Sequence, residues 1–385
     1  MGSGSSNASA YTYIETSVSS FIPGATVAGN VKILCEKPIQ ASQMTILLKY
    51  ISEVRWTVRK TNRGGRKSGT GANYTQTYHD KRVILVIRYP IWNFQGQLPQ
   101  GQFTIPFSIQ LPTDLPPSFS LISGNSDGQG KNEYTFEAVI EGSNEVQAQQ
   151  TIVWVSRLPK PNEAIVPITS EADIKVTSCC CFNSGIVELR STADRNLVMA
   201  NDVLNLKSKI NNIKNKHTVN KINSILARRI RLKIPRGPDT SIFIQAGSIV
   251  LNHEFLNGSH HVDINPGQSD SLEVAMRLNL TEYQNSWMMP TVTSEMIDCE
   301  YFLKVSLDFD NFCGCGIYSV YLPIEVCNGM VAINTVFSPP PQLNVAWDPY
   351  VLSSAPVAIQ GIPNQPDQEH QNPSLDVGSG NKVIP

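Results

Sequence analysis

Apolar and polar residues alternate along most of the chain with a period of two. The stretch Thr26–Leu34 is an example, and the segments like it are rich in Val, Ile, Thr, Tyr and Phe. This pattern predicts β-strands with one buried face. Dipeptides such as Pro23-Gly24 and Gly64-Gly65 predict turns between them. The strands predicted in the first half are Tyr11–Val18, Thr26–Cys35, Met44–Trp56, Val83–Arg88, Gly101–Leu111, Tyr134–Glu141 and Gln147–Val155.

A second series of strands follows residue 175. The segment Ile222–Leu232 has some helix propensity, but its neighbours favour a strand. The strands predicted here are Gly185–Arg190, Asp202–Ile210, Ser224–Lys233, Ser241–Val250, Ser271–Leu278, Cys299–Phe309 and Ile317–Glu325.

The two series define two domains, because half-buried strands must cover one face of a sheet. We therefore predict an all-β protein with two antiparallel sandwich domains, at residues 10–157 and 176–332. Residues 158–175 are predicted to form a linker, since prolines interrupt any period there. Residues 1–9 and the hairpin loop Thr61–Thr77 are expected to be flexible. Residues 333–385 are rich in Pro, Gln, Asn, Ser and Gly, and are predicted to be a disordered tail.

Composition narrows the functional class. The chain of 385 residues is 41% hydrophobic and 16% charged, with a net charge of −1, so its overall charge does not indicate a nucleic-acid partner. No apolar run reaches the ~18 residues that would span a bilayer, and the N-terminus lacks the pattern of a signal peptide. We therefore expect a cytoplasmic protein in which the eight cysteines are reduced thiols.

No motif for catalysis is present, so we expect neither an enzyme nor a cofactor. A metal site is not indicated either, because Cys313-Gly314-Cys315 is tighter than the usual zinc spacing and lacks a second pair. We interpret Cys179–Cys181, Cys299, Cys313, Cys315 and Cys327 as buried structural thiols, although the Cys179–Cys181 triplet could instead be palmitoylated. Asp308–Asn311 is expected to be a hairpin tip and not a calcium loop.

Several stretches resemble the arrestin-domain-containing, or α-arrestin, family. The most specific is Leu98–Pro112, with the pattern Leu-Pro-x-Gly followed by Pro-Phe-x-Ile-x-Leu-Pro. Phe21–Val31 is similar to an early strand pair of that family, Cys179–Leu189 to the opening of its second domain, and Cys299–Leu307 to a closing strand. The resemblance covers about residues 11–330. It implies two tandem arrestin-like sandwich domains of the immunoglobulin type.

The resemblance also implies a function. It suggests a cytoplasmic adaptor, peripheral on the plasma membrane or endosomes, that links tails of membrane-protein cargo to endocytic or endosomal trafficking machinery, in some cases a ubiquitin ligase. The tail contains no Pro-Pro-x-Tyr motif, by which family members recruit ligases, and the first strand lacks the basic pair with which other arrestins sense phosphates. The alternatives are a subunit of a sorting coat, like the arrestin-fold component of retromer, and a lipid-anchored module that binds membranes without cargo.

Three candidate sites remain. Met1–Ser6 fits the N-myristoylation pattern, so Gly2 is a candidate for lipidation. A single chain anchors weakly and needs a second signal, which a basic stretch between residues 207 and 233 could supply by contact with anionic lipid. The alternative for this stretch is a solvated strand face. Its members are Lys207, Lys209, Lys214, Lys216, Lys221, Arg228, Arg229, Arg231 and Lys233.

The third candidate lies in the tail. Trp347 and Tyr350 flank Asp348 and Pro349 in a segment that is otherwise poor in aromatic residues. Exposed aromatic side chains of this kind favour a short docking motif. The alternative is that the four residues have no binding role.

Overall fold

The computed structural model of the protein describes residues 8–61, 73–122, 128–159, 163–178, 182–199, 202–235, 247–277, 289–309, 318–327, 350–352 and 359–364. Within these ranges the regular structure consists of strands, with no helix, so the prediction of an all-β fold is confirmed. The described residues accordingly contain no helix that is long and apolar enough to cross a membrane.

The N-terminal domain is a sandwich of two sheets. The first sheet has the order β6-β3-β1-β9, and comprises β1 (Ala10–Thr16), β3 (Thr26–Cys35), β6 (Gly101–Gln110) and β9 (Val146–Ala148). The second sheet has the order β2-β10-β8-β4-β5, with β7 beside β8. Its strands are β2 (Ser20–Phe21), β4 (Ile39–Thr61), β5 (Asn73–Leu98), β7 (Phe119–Ile122), β8 (Gln129–Glu141) and β10 (Thr151–Val155).

The C-terminal domain repeats this arrangement. Its first sheet has the order β11-β12-β14-β17, with β11 (Ile168–Ser178), β12 (Phe182–Ala193), β14 (Val203–Asn215) and β17 (Ser269–Arg277). Its second sheet has the order β13-β20-β19-β15-β16, with β18 beside β19. The strands are β13 (Leu197–Met199), β15 (Val219–Ile234), β16 (Gly247–Ile264), β18 (Val292–Thr293), β19 (Ile297–Phe309) and β20 (Ser319–Cys327).

Alternating side chains build the core between the sheets of each domain. Along β6 the side chains of Phe103, Ile105, Phe107 and Ile109 are all buried, while the residues between them are not. These side chains meet Ile46 and Leu48 of the opposite sheet in one apolar cluster. The period of two read from the sequence is therefore the alternation between core and surface that pleated strands require.

The two domains are joined by a packed contact as well as by the linker. Trp56 of β4 is buried in the apolar cluster of the C-terminal domain, and its ring stacks on Tyr78 of β5 at 5.2 Å between centroids. Arg82 of β5 donates hydrogen bonds to Glu295 Oε1 at 3.1 Å and to the carbonyl of Pro235 at 2.8 Å. The long β4–β5 hairpin thus belongs to the N-terminal sheet and also packs on the second domain.

The linker is fixed by ion pairs. Arg157, at the end of the N-terminal domain, donates to both carboxylate oxygens of Glu163, at 3.0 and 2.6 Å, and to Glu325 of β20 at 2.8 Å. Asn196 accepts from the N–H of Val166 at 3.0 Å. The segment after residue 157 is therefore held against the C-terminal domain.

Three short strands follow in the region after residue 333. They are β21 (Tyr350–Val351), β22 (Ile359–Gln360) and β23 (Ile362–Asn364). β21 and β22 run parallel to β6, and β23 runs antiparallel to β5. The expectation of a tail without ordered structure is wrong for these residues, because their backbones pair with the N-terminal domain.

Other expectations also need correction. Residues 168–175, expected in the linker, belong to β11 and pair with β12. The strand expected at 241–250 is described only from Gly247, where β16 begins. In the β4–β5 hairpin, β4 extends to Thr61 and β5 begins at Asn73. Residues 73–77, which were expected to lie in a loop, therefore belong to a strand. The strand interpretation of Ile222–Leu232 is confirmed by β15.

Candidate functional site

Two neighbouring sheet edges of the N-terminal domain form the candidate site. β6 is the edge strand of one sheet and β5 is the edge strand of the other. The two edges border the same side of the sandwich, since Gln360 pairs with the end of β6 and Ile362 pairs with β5 only two positions later. We call residues 103–110 of β6 and 86–89 of β5 the double edge, and residues 350–352 and 359–364 the strap.

The backbone of β6 determines what can pair with its edge. The N–H of Leu111 donates to Ala25 on the inner side, and the carbonyl of Thr104 accepts from Leu352 of the strap at 2.9 Å. Backbone N–H and C=O groups point to alternate sides along a strand. Those of the even-numbered residues of β6 therefore point to the open side, at Thr104, Pro106, Ser108 and Gln110. Pro106 has no N–H to offer there. The open edge therefore has donors towards both ends and a gap in the middle.

The first part of the strap lies at the start of β6. Tyr350 and Val351 pair with Phe103 and Thr104. The Tyr350 ring rests near Phe103, with centroids 6.3 Å apart, yet 75% of Tyr350 is exposed. Leu352 packs against the apolar core of the N-terminal domain. This anchor rests on backbone pairing and one half-buried leucine.

The second part of the strap passes from one sheet to the other. Ile359 and Gln360 pair with Ile109 and Gln110, and residues 362–364 then pair with residues 86–88 of β5. Gly361 lies at the crossing, directly above β5. A Cβ atom at Gly361 would lie 2.2 Å from Ile87 Cγ2 and 2.6 Å from two ring atoms of Tyr89. The crossing therefore has room for glycine but for no larger residue.

Tyr89 connects the two edges beneath the crossing. Its ring is fully buried, and its hydroxyl donates to the carbonyl of Gln110 at 3.1 Å. Burial raises the pKa of Tyr89 to about 12, so the hydroxyl remains a donor at neutral pH. The surface under Gly361 is thus a rigid part of the core.

A shallow groove continues along β5 beyond Tyr89. It has a volume of about 260 Å³ and is lined by Gln43, Pro90, Ile91, Trp92 and Asn93. The Gln43 side chain donates to Asn93 Oδ1 at 2.9 Å, next to the register shifts in the β4–β5 pairing. The groove adds a surface of mixed polar and apolar side chains next to the double edge.

The basic stretch does not form one patch. Lys207 and Lys209 are exposed on β14, whereas Arg229 and Arg231 are exposed on β15, in the opposite sheet of the sandwich. These two outer faces point in opposite directions because the inner faces pack on a common core. Lys207 pairs with Glu273, Arg229 with Glu300, and Lys233 with Asp298 at 2.8 Å.

The remaining basic residues differ from one another. Lys214 pairs with Glu188 at 3.1 Å, and Arg231 lies 3.8 Å from Asp298. Lys209, Lys216 and Lys221 make no ion pair with any residue in the ranges that the structure covers. Much of the positive charge on the two faces is therefore balanced by carboxylates.

Arg228 is a correction to the predicted basic site. It is only 2% exposed, inside the core of the C-terminal domain, and cannot contact a membrane surface. Its guanidinium interacts with the hydroxyl of Tyr301 and lies close to Cys299. Burial raises the pKa of Cys299 to about 12, although the Arg228 charge acts in the opposite direction.

Other predicted residues are only partly covered. Gly2, Trp347, Asp348 and Pro349 lie outside the described residues, whereas Tyr350 is the first residue of the strap. Cys179–Cys181, Cys313 and Cys315 also lie outside. Cys35, Cys299 and Cys327 are free and buried, and burial raises the pKa of Cys327 to about 11. Within the residues described, no group of three or more His, Cys, Asp or Glu side chains is arranged to hold a metal ion.

Sequence reasoning missed most of the double edge. Pro106 in the middle of a predicted strand was a usable signal, because proline is confined to edge strands and bulges. Gly361, between Gln360 and Ile362 in a proline-rich tail, carried no comparable signal. The pairing of the tail with two sheets depends on contacts that no local pattern encodes.

Comparison with known proteins identifies both domains. Residues 11–158 match the family model described as "Arrestin (or S-antigen), N-terminal domain", and residues 183–329 match "Arrestin (or S-antigen), C-terminal domain". Among curated proteins, no match was found. The two family models together cover well over half of the chain, and the resemblance noted in the sequence is confirmed. The chain belongs to the arrestin family, as a protein with two tandem arrestin domains.

Proposed function

We propose that this protein is a non-enzymatic adaptor that links membrane-protein cargo to endocytic or endosomal trafficking machinery. The arrestin domains supply the adaptor scaffold. In this proposal the double edge binds extended segments of cargo tails by adding a strand, a mode in which backbone hydrogen bonds supply affinity and side-chain pockets supply specificity.

One observation carries the proposal. An extended segment of the chain itself, residues 350–352 and 359–364, already pairs with the edges of both sheets. A surface that accepts one extended segment through its backbone can accept another, because most of the hydrogen bonds do not depend on side-chain identity. The exposed Tyr350 and Val351 leave much of the first anchor unburied.

The proposal places the protein in the cytoplasm, peripheral on the plasma membrane or on endosomes. Myristoylation of Gly2 would supply weak and reversible membrane affinity. The exposed members of the basic stretch, such as Lys209 and Lys221, would add attraction to anionic lipid. Recruitment of a ubiquitin ligase would require a route other than a Pro-Pro-x-Tyr motif, since the sequence has none.

Affinity capture from detergent-solubilised cells tests the adaptor role. The variant Thr104→Pro/Gln110→Pro removes two N–H groups that point to the open side of β6 and leaves the ladder to β3 unchanged. The control Thr104→Val/Gln110→Val keeps both donors. Partners are identified by mass spectrometry, with urea unfolding to show that both variants are folded.

We expect the wild type and the valine control to capture transmembrane transporters or receptors together with trafficking proteins. The proline variant should retain less than about a fifth of that cargo, because each lost backbone bond costs about 1 kcal/mol. Equal capture of cargo by the proline variant would overturn the role of the double edge. A stable stoichiometric coat complex, without cargo that depends on the edge, would favour the coat-subunit alternative.

A further inference from the structure

The strap and β6 do not match in length between their two points of contact. Val351 and Ile359 are eight positions apart along the strap, whereas their partners Thr104 and Ile109 are five positions apart along β6. Two parallel strands in continuous register would need equal spacing. The chain between Val351 and Ile359 therefore has three more residues than a continuous strand would need.

Pro106 accounts for this mismatch. It lies midway between the two anchors, and its backbone faces the open side without an N–H. A ligand strand that paired continuously would have a carbonyl opposite Pro106 with no donor, and an acceptor that loses water without gaining a donor costs about 1–3 kcal/mol. Three extra residues allow a ligand to leave the edge before Pro106 and rejoin it afterwards.

Gly361 imposes the second requirement. Any Cβ atom at that position would lie within 2.2–2.6 Å of Ile87 and Tyr89, which are both buried. Neither neighbour can move easily, because the Tyr89 hydroxyl is bonded to Gln110. A ligand that crosses from β6 to β5 must therefore have glycine at the crossing.

We propose that the double edge recognises a bipartite extended segment of a partner protein. The segment has an apolar residue two positions after its first pairing residue, as Leu352 follows Tyr350, then a spacer that bypasses Pro106, and then a pairing residue followed by glycine. This inference rests on the proposed function, since it describes the cargo segment that replaces the strap.

A partner, and not a second copy of this chain, is the occupant that the distances favour. Cys327 and Tyr350 are 23 positions apart, a length that extends to about 75 Å, so the strap can reach the N-terminal domain of its own molecule. A tethered strap has a high local concentration, which a tail from a second copy could not exceed with an identical sequence. A partner can exceed it by burying side chains where Tyr350 and Val351 remain 75% and 63% exposed.

Fluorescence anisotropy with the full chain tests the rule. The probe is a labelled peptide of residues 346–366, and the receptor is the Gly361→Val protein, whose own strap cannot fit the crossing. We expect this protein to bind the wild-type peptide at least about tenfold more tightly than the wild-type protein does, which corresponds to ~1.4 kcal/mol. A Gly361→Val peptide should bind at least tenfold more weakly, and the change Gln365→Ala, which lies outside the strap, should have no effect.

A shortened peptide tests the spacer. Deletion of residues 353–355 restores the spacing of β6, and should weaken binding at least tenfold because the peptide must then pair across Pro106. The additional change Pro106→Thr in the receptor supplies the missing N–H and should restore binding of the shortened peptide. Equal binding of the long and shortened peptides to the Pro106 receptor would overturn the bipartite rule, as would tolerance of valine at position 361.

Two further readouts separate the hypotheses. A dimer of the wild-type protein that Gly361→Val abolishes would assign the double edge to a second copy and overturn the proposed partner. If the peptides follow the rule but affinity capture yields no cargo that depends on the edge, the adaptor function fails while the recognition rule stands.

Discussion

The two domains have the same strand order but treat their open edges differently. The order β10-β8-β4-β5 of the N-terminal domain corresponds to β20-β19-β15-β16 in the C-terminal domain, and β6-β3-β1 corresponds to β17-β14-β12. In the N-terminal domain the edges β6 and β5 carry the strap. In the second domain no strand within the described ranges pairs with the outer sides of β17 or β16. Of two domains with the same architecture, the N-terminal one therefore binds additional strands at its edges β6 and β5.

The cores of the two domains also differ at one comparable pair. Tyr134 of β8 faces Tyr50 of β4, and their rings stack at 4.8 Å between centroids. Tyr301 of β19 occupies a similar place, but faces Arg228 of β15. Both tyrosine hydroxyls donate to a loop carbonyl at 2.7 Å. The second domain has thus replaced a buried aromatic partner with a guanidinium.

The largest effect is expected from breaking the Arg228 contact. Arg228→Ala should lower the free energy of unfolding by about 4 kcal/mol, because it opens a cavity between the sheets and removes the partner of Tyr301. Arg228→Met fills a similar volume without a charge and should cost less than about 1 kcal/mol, since apolar replacements of buried charges are often neutral. Urea unfolding of the full chain measures both.

An equal loss in the free energy of unfolding for the two Arg228 variants would contradict this explanation. It would mean that the guanidinium itself, and not its volume, holds the second domain together. The two cores would then differ in kind, one stabilised by stacked rings and the other by a buried charge with its hydrogen bonds.

A pair of glycines gives the next effect. Gly185, with φ of 130°, would place a Cβ 2.0 Å from the carbonyl oxygen of Lys214, and Gly29 would place one 2.3 Å from that of Glu15. Gly185→Ala should cost about 3 kcal/mol and Gly29→Ala about 2 kcal/mol, because only the first adds backbone strain to the clash. Gly267 also has a positive φ but has open space around it, so Gly267→Ala should cost about 1 kcal/mol.

Urea unfolding again supplies the measurement, with Gly267→Ala as the control for backbone strain alone. Should Gly29→Ala prove as stable as the wild type, the close approach of β1 and β3 in the N-terminal domain would be adjustable. The two domains would then differ in rigidity as well as in their edges.

The strands of both domains could be predicted because each has one buried face. Along β15 the pattern even places Arg228 on the inner face, between Leu226 and Ile230. The residue type argued against that position, since arginine is seldom fully buried. The interpretation of the basic stretch followed the positive charge of its side chains and not their alternation along β15. For Arg228 the alternation was the correct guide, because it predicts a buried position.

The strap and β11 could not be predicted for different physical reasons. Strands of two or three residues have no period, and the strap is stabilised by the edges it meets and not by its own sequence. β11 follows a proline-rich segment, and seven of its eleven residues, at 168–178, are charged, Ser or Thr, so few apolar side chains mark a buried face. The double edge is likewise a property of the assembled sandwich, because residues 86–89 and 103–110 meet there and pair with residues 350–352 and 359–364.

The smallest expected effect is a difference in amide hydrogen exchange between the edges of the two domains. The N–H of Leu352 is bonded to Thr104 and should exchange at least about tenfold more slowly than an unpaired amide, which corresponds to local opening at ~1.4 kcal/mol or more. Gly361→Val should remove this protection because the crossing no longer fits. Outward amides of β17, such as those beside Leu272 and Val274, should exchange equally fast in the wild type and the variant. Protection along β17 that matches that of the strap would show that the second domain also holds a strand at its edge, and the two domains would then be equivalent binding modules with one occupant each.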